Sequence, residues 1–232
     1  MRGVIRTLAL VSLSACASTS SAPPAHAHQH QHEHPHAGHA GPMHHRFEHA
    51  DEWAKVFDDP ARDAWQQPDR VIAELALQPA SVVADVGAGT GYFAMRIAKH
   101  VPQGKVIATD IEPDMIRYMT ERAQREGLAN VEARLATAAD PALPAASVDR
   151  ILVVDVWHHL ADRPAYARAL AAALRPGGAL VVVDFTLEAE KGPPKEHRLS
   201  PETIVGDLRA AGLAAEVSPT KLPDQYIVIA RR

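Results

Sequence analysis

Val82-Val83-Ala84-Asp85-Val86-Gly87-Ala88-Gly89-Thr90-Gly91-Tyr92-Phe93 reads as a buried strand, a glycine-rich turn and the start of a helix. Val82, Val83 and Val86 form an apolar β-branched run suited to a strand covered on both faces. Three glycines at alternate positions then remove every Cβ where the chain must turn, so backbone can touch a ligand there. The spacing is Asp-x-Gly-x-Gly-x-Gly, whereas the dinucleotide fingerprint is G-x-G-x-x-G, and Tyr92 stands where its last glycine would fall. That leaves a nucleotide-type ligand site of another kind, with an ordinary tight strand-to-helix turn as the plain alternative.

Working outward, a helix over 90–100 precedes the turn Pro102-Gln103-Gly104, and Lys105-Val106-Ile107-Ala108-Thr109-Asp110 reads as a second strand. It ends in a carboxylate about twenty residues past the glycines, where an acid can accept both hydroxyls of a ribose. From here the chain, over residues 68–230, resembles the class I S-adenosylmethionine-dependent methyltransferases. Asp85 to Gly91 matches their first motif and Asp110 the acid after their second strand. Asp149 to Leu160 matches the fourth-strand segment, and Leu174-Arg175-Pro176-Gly177-Gly178 the turn before the fifth. Within that family the chain is most similar to the small-molecule branch that includes quinone-biosynthesis methyltransferases.

The resemblance implies a Rossmann-like α/β fold: a doubly wound, mostly parallel seven-stranded sheet with an antiparallel last hairpin, spanning 80–232 behind an N-terminal helical cap over 47–79. It implies S-adenosylmethionine as cofactor. The Asp85 loop, with Gly87, Ala88, Gly89, Gly91 and Tyr92, would hold the methionine part, and Asp110 the ribose. Ile111 and Met115 would sandwich the adenine, with Thr137 or Asp140 near its exocyclic amine and Asp155 at the end of the fourth strand. Many members carry Gly-Asp-Ala after strand three; this chain departs from them with Ala136-Thr137-Ala138.

The residue pattern agrees with alternating strands and crossover helices. In the cap, Trp53, Val56 and Phe57 recur at helical spacing, Trp65 sits on a second short helix as a lid candidate, and Pro68 opens a third with Val71, Ile72, Leu75 and Leu77 on its apolar side. Pro113 opens a helix lined by Met115, Ile116 and Met119 and ended by Gly127. Val131 to Leu135, Arg150 to Val154 and Ala179 to Phe185 read as strands. Ser200-Pro201-Glu202 caps a helix that stops at Gly212, and Leu213 to Val217 and Tyr226 to Ile229 complete the sheet.

In such a sheet, ligands bind beyond the carboxyl ends of the strands. Methyl transfer from a sulfonium is a displacement that needs alignment above all, and a base only when the acceptor arrives protonated. His158 and His159 follow the fourth strand and are the candidate bases, with packing or capping as their plain alternative. His197, Arg198 and Tyr226 are candidates to bind acceptor. The folded region lacks cysteine, which removes the thiolate of cytosine-5 methyltransferases and the thiol set of arsenite methyltransferases. Asp155-Val156-Trp157-His158 is not the Asp-Pro-Pro-Tyr segment used on exocyclic amines of DNA bases, and no G-x-S-x-G elbow or Walker lysine occurs. A small-molecule oxygen, nitrogen or carbon acceptor remains.

The 232 residues, 47% apolar, allow one domain plus a tail, and a net charge of −4 gives no electrostatic case for nucleic acid. No run of 18 apolar residues occurs to span a membrane. Over residues 1–16, Arg2 and Arg6 flank an apolar stretch from Thr7 to Leu13, and Leu13-Ser14-Ala15-Cys16 follows. This resembles a bacterial lipoprotein signal and its lipobox, which implies that Cys16 is lipidated and that the chain touches the membrane by that anchor alone, on the periplasmic side. A signal left unused implies the cytoplasm instead. Residues 17–46 offer no apolar face to fold and read as a disordered His-rich tether. Its His26, His28, His30, His32, His34 and His36 can collect Zn²⁺, Ni²⁺ or Cu²⁺. Cells make S-adenosylmethionine in the cytoplasm, so an exported domain raises a rival reading: a lipid-anchored, non-catalytic module binding ligand and metal. The oligomeric state is not encoded in any motif.

Overall fold

The computed structural model describes residues 47–232. The signal segment, Cys16 and the six metal-candidate histidines of the tether lie outside the described residues. Seven strands form one sheet: β1 (Val82–Val86), β2 (Lys105–Asp110), β3 (Val131–Leu135), β4 (Val148–Val154), β5 (Leu174–Phe185), β6 (Ala214–Val217) and β7 (Gln225–Arg231). Their order is β3-β2-β1-β4-β5-β7-β6. The first five pair in parallel, and β7 runs antiparallel to both β5 and β6. This is the expected Rossmann-like sheet with its antiparallel last hairpin.

Alternation along the central strands divides the core between two faces. Leu152 and Val154 of β4 and Val181 and Val183 of β5 point to one face, where α3 (Pro68–Glu74), α4 (Tyr92–His100) and α5 (Pro113–Arg125) cover them. Ile151, Val153, Leu180 and Val182 point to the other, under α6 (Arg163–Ala173) and α7 (Pro201–Ala210). Pro68, Pro113 and Pro201 each open their helix, and Ser200 accepts the Thr203 N–H at 3.3 Å as the N-cap of α7.

The Pro-Gly-Gly segment differs from the expectation of a separate turn. Strand β5 already begins at Leu174, which pairs with Val148, and the next pair is Ala179 with Arg150. Residues 175–178 thus bulge opposite Asp149, and Gly177 supplies the left-handed φ of 77° that this needs. The Asp149 carboxylate holds the bulge by accepting from Arg175 at 3.0 Å and ties in β1 by accepting the Val82 N–H at 2.8 Å.

The cap is α1 (Ala50–Phe57), α2 (Arg62–Gln66) and α3. Trp53 and Phe57 stack at 5.3 Å with Phe47 against both, whereas Val56 is 61% exposed and not part of an apolar face as its spacing suggested. An eight-residue helix laid on a surface buries a narrow strip, and positions 53 and 57 occupy it. Asp58, just past α1, pairs with Arg122 at 2.7 Å, and Arg122 also donates to the Thr90 carbonyl at 3.1 Å. The cap is therefore fastened beside the glycine turn.

Candidate active site

Four parallel strands deliver an aspartate each to one edge of the sheet: Asp85 in β1, Asp110 closing β2, Asp155 just after β4 and Asp184 near the end of β5. The turn after β1 is hooked onto β2, since the Gly87 and Ala88 N–H groups both donate to the Thr109 carbonyl, at 2.8 and 2.9 Å. Gly87, Gly89 and Gly91 all have positive φ, and a Cβ on Gly87 would stand 2.3 Å from Val156 Cγ2. The Asp110 carboxylate accepts the Gly89 N–H at 2.8 Å and the Glu112 N–H at 3.0 Å. The two halves of the sequence signal, 21 residues apart, thus form one structure.

Asp85 is 3% exposed and its Oδ2 has no hydrogen-bond partner among the described residues. Burial pushes its carboxyl up to about 7, against the opposing charge of Arg62. Burial likewise raises Asp110, against its backbone donors, and pushes Asp155 up to about 7. For Asp85 the folded chain keeps a proton that the unfolded chain releases, so its penalty is absent below about pH 4, grows towards about pH 7 and is constant above. Asp85→Asn should therefore stabilise the chain by roughly 2 kcal/mol more at pH 8 than at pH 5. Urea unfolding at the two pH values checks this, and an equal gain at both contradicts it.

Asp155 adopts φ 60°, a left-handed conformation that is uncommon outside glycine. Its N–H donates to the Val183 carbonyl at 3.0 Å, and its carboxylate accepts from the Gln225 amide of β7. Gln225 in turn accepts from Gln66, and Gln66 Oε1 accepts from Arg62 Nε at 3.1 Å and Nη2 at 3.0 Å. Arg62 Nη2 lies 3.8 Å from Asp155, closing a ring of four side chains, two of them buried, that joins the cap to β4 and β7. No sequence motif singles out Arg62, Gln66 or Gln225: two come from a five-residue helix and the third from the last strand, 159 residues away.

His158 lies in a 3-10 turn, Trp157–His159, fixed by the wholly buried Trp157, whose indole N–H donates to Asp207 at 3.1 Å. Its Nδ1 lies 2.8 Å from Asp184 Oδ1, with both side chains buried. An imidazole that donates Nδ1–H to a carboxylate presents Nε2 as its basic nitrogen. The His159 ring packs beside it at 4.2 Å.

The other expected positions differ in exposure and in partners. Tyr92 turns to the cap, where its hydroxyl donates to Asp63 and its ring lies under Arg62 and Arg96. Ile111 is half exposed, whereas Met115 is buried, so only Ile111 presents an open apolar face. Thr137 and Asp140 are exposed and form one turn, with Thr137 Oγ1 accepting the Asp140 N–H at 3.0 Å. Trp65 stacks on Phe185 at 6.0 Å. Arg198 binds its own loop, donating to the carbonyls of Thr186, Leu187, Ala189, Lys191 and Pro193. The Tyr226 hydroxyl is likewise engaged, donating to the Leu199 carbonyl at 2.9 Å. His197 sits in a 3-10 turn of the same loop.

A family model described as a methyltransferase domain matches residues 83–178, from β1 to the bulge of β5. The solved structure of a SAM dependent methyltransferase from Aquifex aeolicus superposes with a TM-score of 0.72 at 29% identity, covering 78% of this chain and 97% of that one. The chain belongs to the class I S-adenosylmethionine-dependent methyltransferases. Nocamycin O-methyltransferase of Saccharothrix syringae is 30% identical over 171 residues, 73% of this chain and 58% of that protein. The ubiquinone/menaquinone biosynthesis C-methyltransferase UbiE of Bordetella parapertussis is 30% identical over 124 residues, 53% of this chain and 48% of that protein. The chain spans about half the length of these curated relatives.

The residues present fit the family's cofactor. Asp85 offers a buried carboxylate oxygen without a partner, the glycine turn keeps side chains away from the strand end, and Asp110 is already oriented by two backbone donors. Among the described residues no cluster of His, Cys, Asp or Glu could hold a metal ion.

Proposed function

We propose that this class I methyltransferase transfers a methyl group from S-adenosylmethionine to a small molecule with an acidic hydroxyl, with His158 as the base. The observation that carries the reading is the buried His158–Asp184 pair at 2.8 Å, just after β4 and on β5, at the same end of the sheet as Asp110 of β2 and its Gly89 contact. Bound S-adenosylmethionine supplies an electrophilic methyl group on sulfur. The chain's residues orient and deprotonate. Asp184 holds the imidazole in the tautomer that leaves Nε2 basic, and stabilises the imidazolium formed when Nε2 takes the hydroxyl proton. Removing that proton activates the oxygen itself or, on a phenol, the neighbouring ring carbon. The base therefore suits O- and C-methylation alike, the reactions named for the two relatives above.

Asp110 would hold the ribose, Ile111 would lie against the adenine, and Asp85 with the glycine turn would take the methionine end. Asp110→Ala in the full chain should weaken S-adenosylhomocysteine binding by about 1.5–3 kcal/mol, the range for hydrogen bonds to a charged group. Calorimetric titration measures it, and unchanged affinity would remove Asp110 from the site.

For the segment before Phe47 the proposal is a lipid anchor at Cys16 on the periplasmic side, followed by a His-rich tether that takes up Zn²⁺, Ni²⁺ or Cu²⁺. The support is the Leu13-Ser14-Ala15-Cys16 sequence and the regular spacing of His26 to His36. Wild type should fractionate with membranes and Cys16→Ser should not; wild type recovered wholly in the soluble fraction contradicts the anchor. Ni²⁺ uptake by the whole chain should fall below about pH 6.5 as the imidazoles protonate. Equilibrium dialysis at pH 7.5 and 5.5 decides this, and equal uptake at both speaks against imidazole ligands.

A further inference from the structure

The turn that presents His158 is fixed at four successive residues, each by a different part of the molecule. Asp155 takes its left-handed φ of 60°, and Val156 Cγ2 lies 2.3 Å from where a Cβ on Gly87 would stand. The Trp157 indole donates to Asp207 of α7, and His158 Nδ1 meets Asp184 of β5. The last three supports belong to the glycine turn, to α7 and to the sheet. Asp155 alone is reached from the cap, because its carboxylate accepts from Gln225, and Gln225 accepts from Gln66 of α2. Its left-handed backbone is costly for a residue with a Cβ and persists only where the surroundings hold it.

The bonds from the cap to Asp155 all point one way. Arg62 donates to Gln66 Oε1, the Gln66 amide donates to Gln225 Oε1, and the Gln225 amide donates to the Asp155 carboxylate. A cation stands at one end and an acid at the other, with two aligned amides between them that polarise one another. Arg62 Nη2 stays 3.8 Å from Asp155, so the amides and not a direct hydrogen bond connect the two. Adhesion of the cap alone would not call for this line. A buried hydrogen-bonded pair exchanges for apolar groups of the same shape at little cost in stability, and the nearby Trp65–Phe185 contact between cap and sheet is of that apolar kind. What apolar groups cannot supply is a directed donor to Asp155.

We propose that Gln66 and Gln225 are positioning residues for the base: they carry the seating of cap helix α2 to Asp155, whose fixed turn aims His158 at Asp184. This rests on the reading of His158 as the base and adds two residues that touch none of the reacting atoms. When α2 is seated on β7, Gln66 holds Gln225, Gln225 holds Asp155, and the turn that follows is set. When α2 lifts, Gln225 loses its partner and Asp155 its fixed donor, and the His158–Asp184 pair loosens. The base is therefore aligned only under a closed cap.

The imidazole proton between His158 and Asp184 reports this linkage without cofactor or acceptor. In proton NMR of the full chain its resonance is the one that His158→Gln removes, and its exchange with water is measured. Gln66→Glu is the decisive variant. The new carboxylate still pairs with Arg62 and, once the Gln225 amide has turned over, accepts from it, so the cap stays fastened while Gln225 presents its carbonyl to Asp155. Exchange should be at least about tenfold faster than in wild type, with the thermal transition little changed. A smaller change in a folded variant overturns the proposal and leaves the two glutamines as adhesion of the cap. Should Gln66→Glu fail to fold, the double variant Gln66→Leu/Gln225→Leu, which leaves no side-chain amide unpaired, is read by the same criterion. A wild type with no resonance that His158→Gln removes also overturns the proposal, since the pair would then not be held. Faster exchange in the variants together with full turnover in His158→Gln would refute the base and leave the linkage standing.

Discussion

His158→Gln is expected to lower turnover of a phenolic or other acidic-hydroxyl acceptor by about 10²- to 10⁴-fold, the span of a positioned general base. Glutamine keeps a polar group near Asp184 but cannot take a proton, so the loss should fall on kcat while S-adenosylhomocysteine affinity stays near wild type. Raising the pH should rescue the variant, because hydroxide then generates the oxyanion that the imidazole no longer makes. Asp184→Asn tests the same pair from the other side. An amide can offer N–H where the imidazole needs an acceptor, which disfavours the tautomer with a basic Nε2, so turnover should again fall without loss of cofactor affinity. A kcat within about twofold of wild type in both variants would return the pair to packing and leave alignment as the whole source of rate.

Gly87→Ala should give the largest loss of stability at the site, about 2–5 kcal/mol. Two independent causes add. The φ of 70° places an L-residue in the left-handed region, at about 1–2 kcal/mol. The new Cβ also meets Val156 Cγ2 at 2.3 Å, and a β-branched side chain has few rotamers in which to retreat, so overpacking contributes about 1–3 kcal/mol more. Val156→Ala in the same chain should recover the overpacking part and leave the backbone part. Urea unfolding of the four members of that cycle separates them, and a Gly87→Ala protein as stable as wild type would mean that the turn is not held as described.

The fold was legible in the sequence because the central strands, covered on both faces, are short apolar runs, and the glycine turn marks where the first of them ends. The Asp110 position was legible for the same reason: a strand of fixed rise after a helix of fixed length brings it back to Gly89. What escaped the sequence lies in long-range polar pairing. Gln66 and Gln225 meet only after the whole sheet has formed, and neither differs by local pattern from a surface glutamine. Arg198 and Tyr226 show the opposite case, since their donors are engaged by backbone carbonyls that no local pattern announces. Val56 failed because helical spacing gives a face but not its width. His158 was found by position, whereas its partner Asp184 emerged only from the pairing of β4 with β5.

Calorimetric titration of the full-length wild-type chain with S-adenosylhomocysteine tests the central claim most directly, since it asks nothing of the unidentified acceptor. The account predicts one site per chain, with affinity reduced by Asp110→Ala. Absence of binding at millimolar ligand, from a chain whose thermal unfolding shows it to be folded, would contradict it and turn attention to the rival of a methyltransferase fold kept for binding something else.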